Sequence, residues 1–246
     1  MREGHCDWEP RRQCVSMNGM PRPPRIQYPG AHYHVWDRGN RRAEIFLDDN
    51  DRRLFLWLLG AVCEQHHWRC LSYCLMGNHY HLIVRTDQPT LSAGMHQLKT
   101  CYAQAFNTMH DLTGHVFQSR FRAKRIEDDR YLMQLFRYVA MNPVGANLCS
   151  APEQWPWSSH QVIIGMRTHR RWFDRECVLS FFANDTERYR TFISEPSNGV
   201  PGTRVSRVLD AHASGMTVSA IARTLGCSRS TVLRALHAHQ KVPGTS

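Results

Sequence analysis

Two histidines at alternate positions offer the clearest opportunity for chemistry in this sequence. His79 and His81 follow the dipeptide Gly77-Asn78 and begin an apolar stretch. On a strand, residues two apart project to the same face, so the pair offers two imidazoles that can hold one divalent cation. The same spacing recurs at His32 and His34 in a chain with 15 histidines, so the pattern also fits chance.

A tyrosine and an amide with helical spacing lie further along the chain. Tyr138 and Asn142 are four residues apart and share one face of a helix expected to start near Asp129, while Phe136 and Val139 mark a different stripe that can face the core. If this helix packs over the histidine strand, Asn142 supplies an oxygen ligand and holds Tyr138 beside the ion. A cation stabilises a phenolate, which can attack a metal-polarised phosphodiester. The spacing is equally compatible with a purely structural pair.

The elements that must position these residues predict an α+β fold, in which helices cover an antiparallel sheet. Helix predictions rest on apolar spacing and on capping aspartates, and strand predictions rest on apolar runs flanked by turn residues. Pro143 disfavours helical geometry at the residue before it, so the helix that carries Tyr138 is expected to end at Met141. Strands are predicted around 33–36, at 69–76, at 79–86 and at 120–126, and helices are predicted after Asp48, over 91–110 and from 129 to 141.

Composition narrows the class of partner. The 246 residues include 31 Lys and Arg against 21 Asp and Glu, a formal charge of +10 that indicates a polyanionic partner. The longest apolar run, 54–63, is shorter than the roughly 18 residues that a membrane span needs, and no secretory signal is recognisable. Nine cysteines without a Cys-x-x-Cys pair indicate neither a disulfide framework nor a cysteine zinc site, which favours a reducing cytoplasm.

A basic cluster lies between the histidine strand and the tyrosine helix. Its side chains could contact DNA phosphates, although a solvated surface strand would have the same composition. The cluster consists of Arg120, Arg122, Lys124 and Arg125.

The last fifth of the chain has a pattern of its own. A linker-like composition over 194–203 is followed by apolar spacing of three short helices, with Gly226 in a turn and Ser228 as a cap. Helix, glycine-containing turn and helix form the helix-turn-helix pattern, and this segment resembles the DNA-binding tails of resolvases and many regulators. Residues 201–246 carry six basic residues against Asp210, a charge of +5. The candidate recognition helix presents Arg229, Ser230, Thr231 and Arg234 to duplex DNA.

Four ordered motifs extend the pattern of the histidines and the tyrosine. Together they resemble the REP-associated tyrosine transposases, which belong to the single-tyrosine class of HUH transposases, over about residues 21–165. The motifs are Gly77-Asn78-His79-Tyr80-His81-Leu82, Gly114-His115-Val116-Phe117-Gln118-Ser119-Arg120-Phe121, Tyr131-Leu132 with Arg137-Tyr138-Val139-Ala140-Met141-Asn142-Pro143-Val144, and Trp155-Pro156-Trp157-Ser158-Ser159.

The resemblance implies a role for each residue of the constellation. His79 and His81 correspond to the HUH histidines, Tyr138 to the nucleophile and Asn142 to the third ligand. The His32 and His34 pair then drops out, because that segment is the family's first strand and carries no metal. Two imidazoles and an amide suit Mn²⁺ or Zn²⁺ as readily as Mg²⁺, whereas the family implies Mg²⁺ or Mn²⁺. The implied reaction cleaves and rejoins single-stranded hairpin DNA through a 5′-phosphotyrosine, by a monomer or a homodimer.

Two other functions fit the same sequence. One is a transcriptional regulator that recognises hairpin or duplex DNA without catalysis, and the other is a metal-dependent nuclease that acts through water. The expected domain organisation of the chain is as follows: a basic, proline-rich arm (1–24), a ferredoxin-like HUH transposase core (25–165), a connecting extension and linker (166–200) and an all-α helix-turn-helix domain (201–246).

Overall fold

A four-stranded antiparallel sheet forms the centre of the protein. The structure, a computed structural model, describes residues 26–168, 170–195, 208, 215–225 and 227–240. The strand order is β2-β3-β1-β4, and every neighbouring pair is antiparallel. The strands are β1 (Ala31–Arg38), β2 (Trp68–Leu75), β3 (His79–Thr86) and β4 (Arg122–Ile126).

Helices cover both faces of the sheet, which confirms the α+β prediction. Asp48 caps the first helix by accepting hydrogen bonds from the backbone N–H groups of Asn50 and Asp51, at 2.7 and 3.0 Å. The helices are α1 (Asp49–Gln65), α2 (Leu91–Met109), α3 (Asp129–Gly145), α4 (His160–Ile163), α5 (Arg175–Ser180) and α6 (Thr186–Ser194), with short 3₁₀ turns at Asn40–Arg42 and Pro152–Gln154.

Alternation along β3 separates the core from the histidine pair. Tyr80 is fully buried and packs on Phe55 of α1, with ring centroids 4.8 Å apart. His79 and His81 therefore point to the opposite face, where α3 lies against β2 and β3. This arrangement places a polar pair beneath a helix while the other face holds most of the aromatic core.

Helix α3 does not end at Met141 as the sequence predicted. It continues to Gly145 with Pro143 inside it. Pro143 is buried, and its carbonyl accepts a hydrogen bond from the backbone N–H of Leu148, while the carbonyl of Asn142 accepts from Ala146. Tertiary packing and these terminal bonds thus offset the local cost of proline. The consequence is that Asn142 is helical and lies one turn beyond Tyr138.

The segment after the expected core domain is packed against the rest. Phe173, Val178, Phe182 and Tyr189 are buried in the same core as the sheet, and α6 contacts α3. The predicted domain boundaries stay predictions, and the predicted arm (1–24) and residues 196–200 of the predicted linker lie outside the described residues.

A second, small apolar cluster lies in the C-terminal part. Helices α7 (Val218–Thr224) and α8 (Arg229–Gln240) pack together, with Thr217 capping α7 through the backbone N–H of Ala220. Of the first predicted helix of this region only Val208 is among the described residues. Within the described ranges, no helix is both long and apolar enough to cross a bilayer. The cluster consists of Val208, Ile221, Ala222, Val232 and Leu236.

Candidate active site

The structure brings together the four residues that the sequence singled out. Nε2 of His79 lies 3.4 Å from Oδ1 of Asn142. The ring of Tyr138 meets the ring of His81 edge-on, with centroids 5.2 Å apart. Strand β3 supplies the histidines and α3 supplies the tyrosine and the amide, because the helical turn between Tyr138 and Asn142 matches the two-residue step along the strand.

A polar cavity of about 310 Å³ opens between α3 and the sheet. Its floor crosses three strands, because Trp36 of β1 is paired with His81 on one side and with Arg122 on the other. The phenol of Tyr138, which is about one-third exposed, is accessible from this cavity. The lining residues are Trp36, Asp37, Arg38, His79, His81, Gln118, Ser119, Arg122, Tyr138 and Asn142.

Hydrogen bonds fix both histidine rings from behind. Nδ1 of His79 lies 2.7 Å from Oδ1 of Asn78, and Nδ1 of His81 lies 3.0 Å from Nε2 of His34. Both ring nitrogens of His79 contact amide oxygens, which only accept, and the contact from Nδ1 to Asn78 is the shorter, so we place the proton of neutral His79 on Nδ1. The lone pair of its Nε2 then faces the lone pairs of Asn142 Oδ1, an arrangement that a cation can bridge.

Burial favours the neutral forms of His79, His81 and Tyr138. It lowers the pKa of His81 well below the ordinary value, with further lowering from His34, His79 and Arg38. Burial also lowers the pKa of His79, while Oδ1 of Asn142 opposes this shift because it can accept a hydrogen bond from the charged imidazole. For Tyr138 burial raises the phenol pKa, opposed by a hydrogen bond with Asn142 and by the charge of Arg38. Neutral imidazoles are competent ligands, whereas the phenol needs help to lose its proton.

The chemistry of these donor atoms fits a divalent cation that takes further oxygen ligands from outside the protein. Two neutral imidazole nitrogens and one amide oxygen suit Mn²⁺ or Mg²⁺ only if further oxygens join them. The described part of the chain contains no group of three or more His, Cys, Asp or Glu side chains arranged to hold a metal. Since the set has three protein donor atoms, a six-coordinate cation held by it would have positions for water and phosphate oxygens.

Sequence reasoning missed two residues of the site. His34 contacts His81 directly, although its spacing with His32 made it look like a chance copy. Arg38, at the end of β1, lines the cavity and lowers the pKa values of Tyr138, His79 and His81. Both lie on the face of β1 that carries Trp36, a placement that only strand pairing reveals.

A loop after α2 completes the cavity wall. The backbone N–H of Gln118 donates to the carbonyl of Arg38 at 3.0 Å, and that of Asn40 donates to the carbonyl of Val116 at 2.8 Å. These bonds hold Gln118 and Ser119 at the cavity. The second sequence motif, 114–121, is therefore the segment that closes the site beside β1.

Only one member of the predicted basic cluster lines the cavity. Arg122 does so, while Lys124 lies over the ring of Tyr131 at 4.2 Å and Arg120 is exposed before β4. Arg125 faces the other side of the sheet, where its Nε donates to Glu127 at 2.8 Å and its guanidinium stacks on Tyr28. Alternation along β4 places Arg125 on the face opposite Arg122 and Lys124.

The predicted duplex-reading residues begin helix α8. Arg229 and Ser230 are exposed, whereas Thr231 is half-buried and its hydroxyl lies 2.8 Å from the hydroxyl of Ser228. Ser228 also accepts a hydrogen bond from the backbone N–H of Thr231, which makes it the predicted cap. Arg234 lies on the same helix, and its side chain is outside the described part of the structure.

Comparison with known proteins agrees with this architecture. Residues 27–142 match the family described as "Transposase IS200 like", and residues 203–245 match a homeodomain-like domain. A solved REP-associated tyrosine transposase bound to a REP hairpin aligns with a TM-score of 0.51 at 16% identity, over 63% of this chain and 90% of that chain. A candidate transposase from Deinococcus radiodurans R1 aligns at 16% identity with a TM-score of 0.34, over 48% of this chain and 95% of its own. No similar protein was found among curated sequences.

The antiparallel sheet with its histidine pair under a tyrosine helix, and the helix-turn-helix unit that follows it, are therefore similar to the domains of DNA-binding transposases. More particularly, the chain has an IS200-like transposase domain at 27–142 and the fold of the REP-associated tyrosine transposases.

Proposed function

We propose that this protein is a transposase that cleaves and rejoins single-stranded, hairpin-containing DNA through a 5′-phosphotyrosine on Tyr138. The observation that carries the proposal is the convergence of Tyr138 and Asn142 with His79 and His81 in one polar cavity. A tyrosine in such a cavity has a nucleophile's access to a phosphodiester, and the two imidazoles and the amide beside it can hold a cation.

The chemistry is a balanced transesterification. The phenol oxygen of Tyr138 forms a bond to phosphorus while the bond from phosphorus to the 3′ oxygen breaks. The phenol gives up its proton, and the released 3′ oxygen takes up a proton to become a 3′-OH. In the second step a 3′-OH attacks the phosphotyrosine and regenerates Tyr138. Since each step exchanges one phosphoester for another, rejoining needs no external energy.

The surrounding side chains orient the substrate. His79, His81 and Asn142 would hold Mg²⁺ or Mn²⁺, which polarises the phosphate and stabilises negative charge when bound. Arg38 and Arg122 place two guanidinium groups at the same cavity, where they can contact phosphate oxygens of the strand. Arg38 also lowers the pKa of Tyr138, which favours loss of the phenol proton.

One gel tests the proposal against its alternatives. The full chain is incubated with end-labelled single-stranded hairpin DNA, with Mg²⁺ or with chelator, and resolved under denaturing conditions. We expect a covalent protein–DNA adduct only with the metal. Cleavage without an adduct would instead indicate a nuclease that acts through water, and binding without cleavage would indicate a regulator.

A matched pair of variants tests the phosphate contacts. Arg122→Gln should weaken binding of the single-stranded site and reduce its salt dependence, by about 0.7 in the logarithmic slope for each phosphate that the protein no longer neutralises. Binding is measured by fluorescence anisotropy at several salt concentrations. Arg125→Gln is the control, because its guanidinium already engages Glu127 and Tyr28. An unchanged slope in Arg122→Gln would remove this residue from the DNA path.

The C-terminal domain is proposed to read duplex DNA through Arg229, Ser230, Thr231 and Arg234. A chain that ends at Asn198 should still form the adduct with hairpin DNA but should bind flanking duplex at least 10-fold more weakly, because a basic domain is removed. Arg229→Gln in the full chain provides the point variant, since this residue is exposed at the start of α8. Equal duplex affinity in the shortened chain would contradict this role.

Two further features stay proposals. The protein is expected to act in the reducing cytoplasm, as a monomer or a homodimer. The seven cysteines of the described residues are all free, which accords with that compartment.

A further inference from the structure

His34 is tied to the histidine pair although it is not one of the proposed ligands. Its Nε2 lies 3.0 Å from Nδ1 of His81, and both side chains are buried. The ring of His34 stacks on Trp36 with centroids 4.7 Å apart and meets the edge of Tyr138 at 6.1 Å. The stacking and the sheet therefore fix the ring of His34.

The strand register explains how the two rings meet. Trp36 is paired with His81. His34 lies two residues before Trp36 on the same face of β1, so it is the diagonal neighbour of His81. Such diagonal neighbours are within reach of long side chains. His32 shares this face two residues further along, and it has no described contact with His81.

The position of the ring proton determines which imidazole donates the hydrogen bond between His81 and His34. An imidazole that binds a metal through one nitrogen carries its proton on the other, and that N–H requires an acceptor. For His81 the atom beside Nδ1 is Nε2 of His34. A neutral imidazole has a lone pair on one ring nitrogen, and the nitrogen of His34 that faces His81 is Nε2. Nε2 of His81, which has no hydrogen-bond partner among the described residues, is left for the cavity.

We propose that His34 is a positioning residue for the metal centre: its Nε2 accepts the Nδ1 proton of His81 and presents Nε2 of His81 to the cavity shared with Tyr138 and Asn142. The inference rests on the proposed function, since it concerns the same site. It assigns His34 a role that the spacing of His32 and His34 does not predict.

Binding of Mn²⁺ to the full chain without DNA provides the first test. His34→Phe keeps a ring to stack on Trp36 but removes the acceptor, and should weaken Mn²⁺ binding by roughly 10- to 100-fold, the usual effect of removing such a partner. His34→Gln places an amide oxygen near the position of Nε2 and should bind within about threefold of the unmodified chain. His32→Phe is the matched control and should leave affinity unchanged. Equal affinity in His34→Phe, or no rescue by glutamine, would overturn the proposal.

The adduct assay separates positioning from structural support. His34→Phe should raise the Mn²⁺ concentration needed for half-maximal adduct formation and leave the rate at saturating Mn²⁺ close to that of the unmodified chain. A variant that merely folds poorly would form adduct more slowly at every Mn²⁺ concentration, including saturating Mn²⁺. That result, with normal Mn²⁺ affinity in the folded fraction, would contradict the proposal.

Ring nitrogen shifts test His34 independently of catalysis. In the metal-free chain labelled with ¹⁵N-histidine, His81 should carry its proton on Nδ1, with signals assigned by their loss in His81→Gln. The tautomer should persist in His34→Gln and become mixed in His34→Phe. A proton on Nε2 of His81 would overturn the proposal even if His34→Phe does not fold. If His81 in the unmodified chain carried its proton on Nδ1 but the chain formed no adduct, the proposed function would be contradicted and the hydrogen bond from His81 to His34 would be supported.

Discussion

Tyr138→Phe should abolish the covalent adduct with hairpin DNA while binding of the uncleaved hairpin stays within about twofold. The substitution removes only the phenol oxygen, which is the atom proposed to attack phosphorus. The remaining ring keeps its edge contacts with His81 and His34, and about one-third of it is exposed, so packing changes little. Denaturing gels measure the adduct, and anisotropy measures binding.

Tyr131 supplies the matched control on the same helix. It lies near the start of α3 under the ammonium of Lys124 and does not line the cavity. Tyr131→Phe should therefore form the adduct at a rate close to that of the unmodified chain. Adduct formation by Tyr138→Phe, or loss of the adduct in Tyr131→Phe alone, would contradict the assignment of Tyr138 as the nucleophile.

Local periodicity accounts for the parts of this site that the sequence could predict. The two-residue step between His79 and His81 fixes their common face, and the four-residue step between Tyr138 and Asn142 fixes theirs. That these two faces meet does not follow from spacing, and the expectation came from the motif resemblance. The structure then places Nε2 of His79 at 3.4 Å from Asn142.

Non-local pairing explains what could not be predicted. His34 reaches His81 only because β1 lies beside β3 in one register, and a shift of one residue would turn it to the other face. The same alternation sends Arg122 to the cavity and Arg125 to Glu127. The predicted helix end at Met141 was wrong, because the packing of α3 overrides the preference of the residue before Pro143 for non-helical geometry.

His79→Ala should abolish adduct formation at ordinary Mg²⁺ concentrations and leave hairpin binding nearly intact. Loss of a direct ligand should weaken metal binding by more than the roughly 10- to 100-fold that an outer partner contributes. The phenol is sensitive to this loss, because burial raises the pKa of Tyr138, and among the described residues Asn142 and Arg38 are the groups that oppose that effect. Without the cation, the phenol stays protonated at neutral pH and the phosphate is not polarised.

The rescue pattern distinguishes a metal ligand from a structural histidine. High Mn²⁺ should partly restore adduct formation in His79→Ala, since His81 and Asn142 remain, but should not restore it in the double variant with His81→Ala. His32→Ala removes a histidine that does not line the cavity and should behave like the unmodified chain. Undiminished adduct formation in the presence of chelator would contradict the metal centre itself, and normal activity of the double variant would place that centre elsewhere.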